Sequence, residues 1–175
     1  MKYWVATILI FVLIYAYTSF AADTDIFTSG KAEKIDKFVS TAPIFLNCKS
    51  VLNVKLSDVK KLGKINKEYI TKSANKYNKN KIDEFLTLQF DGLEIYGYLK
   101  SPSELWLIHV TITSHRWGIL YGLIVGSDAS RISQYLGTPV EQKKNMKIYY
   151  GESERVEFST EGNRISKVEL FYYMD

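Results

Sequence analysis

Two Leu-Gly pairs, Leu62-Gly63 and Leu136-Gly137, stand 74 residues apart, and each closes a short segment whose apolar residues fall at helical spacing. After each come three runs in which apolar and polar side chains alternate, the period of a half-buried strand. In the second stretch Ser127-Asp128-Ala129-Ser130 supplies capping residues. Ile132, Tyr135 and Leu136 share one helical stripe, and Gly137 with Pro139 stops it. Met146, Ile148 and Tyr150, then Val156 and Phe158, then Val168, Leu170 and Tyr172, each mark one face of a strand. The turn-rich Gly151-Glu152-Ser153-Glu154 and Glu161-Gly162-Asn163 are short enough to join these strands as antiparallel hairpins.

One offset of 60 lines up Leu88 with Ile148, Phe90 with Tyr150, Tyr96 with Val156, Tyr98 with Phe158, Ile108 with Val168, Val110 with Leu170 and Ile112 with Tyr172. A slip of one residue would turn every strand over, so agreement across three strands predicts a structural repeat. Helix signals 74 apart and strands 60 apart leave 14 more residues in the first copy, and they fall within the segment 64–83. The expected fold is therefore α+β: two tandem repeats of short helix plus antiparallel β-meander, packed as one compact unit. The division is 1–21 signal peptide, 22–50 N-terminal segment, 51–116 repeat 1 with a basic insertion at 64–83, and 117–175 repeat 2.

Smaller elements follow the same rules. Residues 31–39 form a short helix with Ile35, Phe38 and Val39 on one side, stopped by Pro43. Residues 44–54 give a strand or two, and 119–125 one more. Asp91-Gly92 between Phe90 and Leu93 is a tight hairpin turn. Trp106, Ile108, Val110 and Ile112 are assigned to the core side of the longest strand. Ile95, Leu99, Leu105, Leu107 and His109 fall to the outer side of the first meander.

The start of the chain bears on address. An apolar run over 3–17 follows Met1-Lys2, and Ser19 and Ala21 occupy the small-residue positions of a signal-peptidase site, so cleavage is expected after Ala21. The run is short for a membrane span. The protein is expected in the periplasm or secreted, not integral to a membrane once processed, with an uncleaved N-terminal anchor as the alternative. Cys48 is alone, so an exported chain of this kind is held by packing and has no internal disulfide.

Charge and motifs narrow the function. Between 49 and 81 there are ten Lys against Asp58 and Glu68, a basic stretch without arginine. Export argues against nucleic acid as its partner, and clustered charge favours encounter with an acidic protein surface or an anionic envelope component. His109 and His115 are too few for a zinc site, and Cys48 with His115 is an unaccompanied pair. No phosphate loop, nucleophile elbow or His-Glu-x-x-His is present. No catalytic residue, metal or small-molecule cofactor is expected.

What remains is surface. Lys147, Tyr149, Arg155, Glu157, Lys167, Glu169, Phe171 and Tyr173 alternate with the apolar residues of the second meander. Aromatics interleaved with opposite charges make a recognition surface. The partner-binding set is Lys147, Tyr149, Arg155, Glu157, Lys167, Phe171 and Tyr173. The expected function is a non-enzymatic module binding an envelope or secreted enzyme or toxin, of inhibitor or immunity type. The alternative is a structural envelope-maintenance factor docked on an outer-membrane assembly complex.

Gly122-Leu123-Ile124-Val125-Gly126-Ser127-Asp128, Ile132 and Leu136-Gly137-Thr138-Pro139 follow a pattern of Gly, helix and Leu-Gly-x-Pro. On these residues the chain resembles the beta-lactamase inhibitor protein-like fold, and each half resembles the small outer-membrane assembly lipoprotein family. The resemblance implies a tandem helix-and-meander fold and does not carry over beta-lactamase inhibition. The first copy has Lys64-Ile65 where the pattern has Pro, and no Cys follows the expected cleavage point for a lipid anchor.

Overall fold

The computed structural model describes residues 30–46 and 54–172. The leader expected over 1–21, Cys48 and Tyr173 lie outside them. A helix over 30–41 (α1) buries Ile35, Phe38 and Val39 and stops ahead of Pro43, as proline disfavours the helical conformation of the residue before it. Then come β1 (Val54–Lys55), α2 (Leu56–Lys60), β2 (Lys67–Ala74), β3 (Ile82–Phe90), β4 (Leu93–Ser101) and β5 (Glu104–Ile112). After α3 (Ser130–Leu136) follow β6 (Glu141–Lys143), β7 (Met146–Tyr150), β8 (Glu154–Glu161) and β9 (Arg164–Tyr172).

The fold is α+β, with every strand in one antiparallel sheet of order β2-β3-β4-β5-β9-β8-β7-β6 and β1 pairing β5 beside that path. Each half of the sheet runs helix, edge strand, meander: α2, β2 and β3 to β5, then α3, β6 and β7 to β9. The halves join where β5 pairs β9, with Val110 opposite Leu170 and Ile112 opposite Val168. Asp91-Gly92 makes the expected hairpin, Phe90 facing Leu93 and Gly92 at φ 69°.

The helices pack on one face. Phe38 of α1 meets Phe158 at 6.4 Å and stacks on Tyr121 at 6.0 Å. Tyr172 donates its hydroxyl proton to the Val39 carbonyl at 3.3 Å. Val59, Ile132 and Leu136 bring α2 and α3 into the same core. Each such side chain withdrawn from water contributes roughly 1.5–3 kcal/mol, which lets packing hold the chain.

A polar tie reinforces α1. The Asp36 carboxylate accepts the backbone N–H groups of Glu152 at 2.8 Å, Ser153 at 3.3 Å and Glu154 at 3.0 Å. Gly151 leaves the room, since a Cβ there would collide with Asp36. Glu154 is carried in beside it, and burial, reinforced by the Asp36 charge, pushes its carboxyl up to about 8.

Several expectations are corrected by register. In β4 the core residues are Leu93, Ile95 and Gly97, so Tyr96 and Tyr98 face the other way. In β5 Leu105 and Leu107 are buried, as are Val110 and Ile112. Tyr96 pairs His109 while Gly97 pairs Leu107, which leaves Ile108 as a β-bulge. One extra residue reverses parity, so Trp106 and Val110, assigned to one face, lie on opposite faces. A single offset of 60 fails for the same reason. The core pairs Leu88–Ile95 and Tyr149–Val156 correspond at an offset of 61, and only past Ile108 does 60 apply.

The segment 64–83 is not a loop inserted before the meander. Lys67–Ala74 is an eight-residue strand, and the shorter β6 holds its place in the other half. The strand expected over 119–125 is a 3-10 turn, Leu120–Gly122, because Tyr121 and Gly122 both take positive φ. Tyr121 is held there between Phe38 and Tyr135. Of the strands expected over 44–54, the described part is a 3-10 turn, Ile44–Leu46, and the two residues of β1.

Candidate functional site

Alternation puts one side chain in two on the sheet face opposite the helices. Its residues are half-buried by one another. Register builds a row across it: Tyr96 of β4 opposite His109 of β5, His109 opposite Phe171 of β9, Phe171 opposite Arg155 of β8, and Arg155 opposite Tyr150 of β7. The His109 ring stacks on Phe171 with centroids 4.3 Å apart and planes 13° from parallel. The Arg155 guanidinium lies 3.9 Å from the Phe171 centroid and 5.9 Å from that of Tyr150. Such cation–π contacts are worth about 0.5–2 kcal/mol and hold the guanidinium flat.

A second row is ionic. Glu157 and Glu169 stand directly opposite each other, an arrangement that is unfavourable by itself. Arg155 Nε lies 3.1 Å from Glu157, Lys167 Nζ 2.6 Å from Glu169, and His109 Nε2 3.5 Å from the other Glu169 oxygen. Burial holds the His109 imidazole below its ordinary value, against Glu169, Glu94 and Glu157, which favour its charged form. The rows continue into the first half as an aromatic cluster: Phe85 packs on Tyr96 at 5.9 Å and Tyr98 at 5.7 Å, and Tyr98 on Trp106 at 6.0 Å.

Of the residues singled out from sequence, the structure brings Arg155, Glu157, Lys167, Phe171 and Glu169 together here. Lys147 and Tyr149 are on the helix face instead. Tyr149 is 0% exposed, its ring against Phe158 and its hydroxyl donating to the Gly137 carbonyl at 3.1 Å. Lys147 reaches the Ala129 carbonyl at 3.4 Å and Ser133 Oγ at 3.2 Å. The run Met146–Tyr150 has Met146, Ile148 and Tyr150 on one side and Lys147 with Tyr149 on the other, so alternation favours covering the wrong side, and α3 takes the side with Tyr149. Alternation alone places Tyr96, Tyr98 and Trp106 in the core. The signal for their true side is Gly97, a glycine inside a strand, whose added Cβ would collide with the Trp106 carbonyl.

Planar groups already stacked and charges already paired can receive a partner's surface with little further ordering. Among the described residues no group of three or more His, Cys, Asp or Glu is placed to hold a metal ion.

No family model matches this chain, and no curated protein does. Among solved structures it is similar to the uncharacterized protein yfeY from Escherichia coli, with a TM-score of 0.39 and 10% identity over 70% of this chain and 90% of that one. A likeness this distant bears on neither function nor site.

Proposed function

We propose that this chain is an exported, non-enzymatic protein-binding module of inhibitor or immunity type, which holds an envelope or secreted protein against its open sheet face. The observation that carries the reading is the row His109, Phe171, Arg155 and Tyr150, backed by Glu157, Glu169 and Lys167, on the face away from the helices. Arg and aromatic residues dominate the energetics of protein interfaces, and the paired charges set register. In this reading the two halves are copies of one unit, and the partner lies across the seam between them.

The test is affinity capture from envelope and secreted extracts in moderate salt, with wild-type protein and the double variant Arg155→Ala, Phe171→Ala. Two anchors at about 2 kcal/mol each lower affinity several-hundred-fold or more. A hydrolase or toxin held stoichiometrically by wild type and lost by the variant, at an unchanged unfolding midpoint, supports the reading. Equal retention by both removes this face from consideration.

A further inference from the structure

The two ends of the sheet are unlike. At one end β6 has three residues, an edge too short to recruit another strand. At the other, β2 has eight, every one exposed, paired to β3 without a register shift from Lys67 opposite Gln89 to Ala74 opposite Ile82. A long, regular, uncovered edge strand is what proteins ordinarily avoid.

The direction of its backbone groups follows from the ladder. Asn75 N–H donates to the Lys81 carbonyl at 2.9 Å, in register with the pairing of Ala74 opposite Ile82. In an antiparallel pair bonded and non-bonded positions alternate. Lys67, Tyr69, Thr71 and Ser73 therefore turn their backbone groups to β3, and Glu68, Ile70, Lys72 and Ala74 turn theirs to the open edge. That edge is a row of N–H and C=O groups spaced for one more strand.

Side chains and charge narrow the occupant. Tyr69, 41% exposed, and Ile70, 49% exposed, offer an apolar contact on each side of the strand. Lys60 and Lys72 pair with Glu68 and Glu84, each at 2.7 Å, yet 60–81 holds eight Lys against the single acid Glu68. A second copy of this segment would bring seven excess positive charges against another seven. Only a polypeptide supplies alternating main-chain donors and acceptors, and only an acidic one answers the charge.

We propose that β2 is a docking edge that takes an extended acidic segment of a partner protein as an added strand. This goes beyond the open-face reading and stands without it, since the edge and the row around Phe171 are separate features of the sheet.

The probe is a synthetic peptide of alternating Glu and Val, as long as the eight residues of β2, with its Lys-for-Glu counterpart as control. Titrated into the full chain, the Glu peptide binds and the Lys peptide does not, and affinity falls as salt rises. Ile70→Pro deletes an outward N–H while sparing those that face β3, and weakens binding at least ten-fold. Lys67→Glu with Lys72→Glu lowers the net charge of 60–81 from +7 to +3 and weakens binding of the Glu peptide. Should Ile70→Pro fail to fold, Glu peptides N-methylated at alternate amides ask the same question of the wild-type chain, and one methylation pattern abolishes binding. Arg155→Ala with Phe171→Ala leaves the peptide affinity unchanged, which separates failure here from failure of the open face. Absence of Glu-peptide binding, equal binding after backbone blockade, or dimerisation of the chain through β2 would each overturn the proposal.

Discussion

Val110 of β5 and Leu170 of β9 stand directly opposite each other where the two halves of the sheet meet. Both are fully buried. The contact joins β2 to β5 on one side to β6 to β9 on the other.

That seam makes the halves depend on each other. Leu170→Ala is expected to lower stability by about 2–5 kcal/mol, as for other buried leucines truncated to Ala. Val110→Ala costs less. Because the side chains touch, the double variant departs from additivity by about 0.5–3 kcal/mol. Urea unfolding followed by far-UV and near-UV circular dichroism measures all three, and coincident transitions show one cooperative unit.

The bulge at Ile108 sets which side chains of β5 reach the core. Deleting Ile108 forces either Leu105 and Leu107 or Val110 and Ile112 onto the open face. The deletion is therefore expected to abolish folding, whereas Ile108→Ala leaves the bulge and a folded chain. Gly97→Ala presses a methyl on the Trp106 carbonyl and the Leu105 side chain and costs about 1–3 kcal/mol. Dispersion of amide NMR signals separates the first two variants, and denaturant midpoints measure the third.

Glu154 predicts a dependence on pH. Its folded carboxyl is pushed up to about 8 by burial and by Asp36, so between the ordinary carboxyl value and about 8 the folded chain holds a proton that the unfolded chain lacks. Stability from this source is full below the ordinary value and is lost as pH rises through about 8. Wild-type unfolding midpoints should fall over that window, and those of Glu154→Gln should fall less. Equal slopes in the two proteins would count against a proton on Glu154.

His109 works in the opposite sense. Burial lowers its value and Glu169 partly restores it, so what the neutral ring contributes is lost as pH falls through the folded value. Ring NMR signals, assigned with His109→Asn, should titrate below the ordinary histidine midpoint. Glu169→Gln should move that midpoint lower still. A rise in Glu169→Gln would show that the carboxylate does not act on the ring.

How much of this was legible depended on range. Helix α1, the helix before Gly137 and the Asp91-Gly92 turn are local patterns, and they form where the spacing places them. Arg155, Glu157, Lys167 and Phe171 were identifiable because β8 and the later part of β9 alternate cleanly between polar and apolar. Strands β4 and β7 carry large apolar groups on both sides, and there the covered side depends on what a distant helix needs. Tyrosine and tryptophan add to the ambiguity, since an apolar body with a polar tip suits a core or an open face. The bulge at Ile108 is a property of pairing with β4, beyond what β5 alone reveals. The stacking of His109 on Phe171 joins strands from the two meanders, and no spacing within either announces it.

The Asp36 tie has a bearing on how the chain is made. Asp36 holds residues 116 to 118 positions later, and Val39 accepts a hydrogen bond from Tyr172, 133 positions later. During synthesis α1 emerges well before β8 and β9. Until then Ile35, Phe38 and Val39 have no pocket, and the helix leaves the ribosome with its greasy side in water. Since α1 is made well before the hairpin that receives it, its docking waits on that hairpin, and the interval between them is when the nascent chain most needs a chaperone.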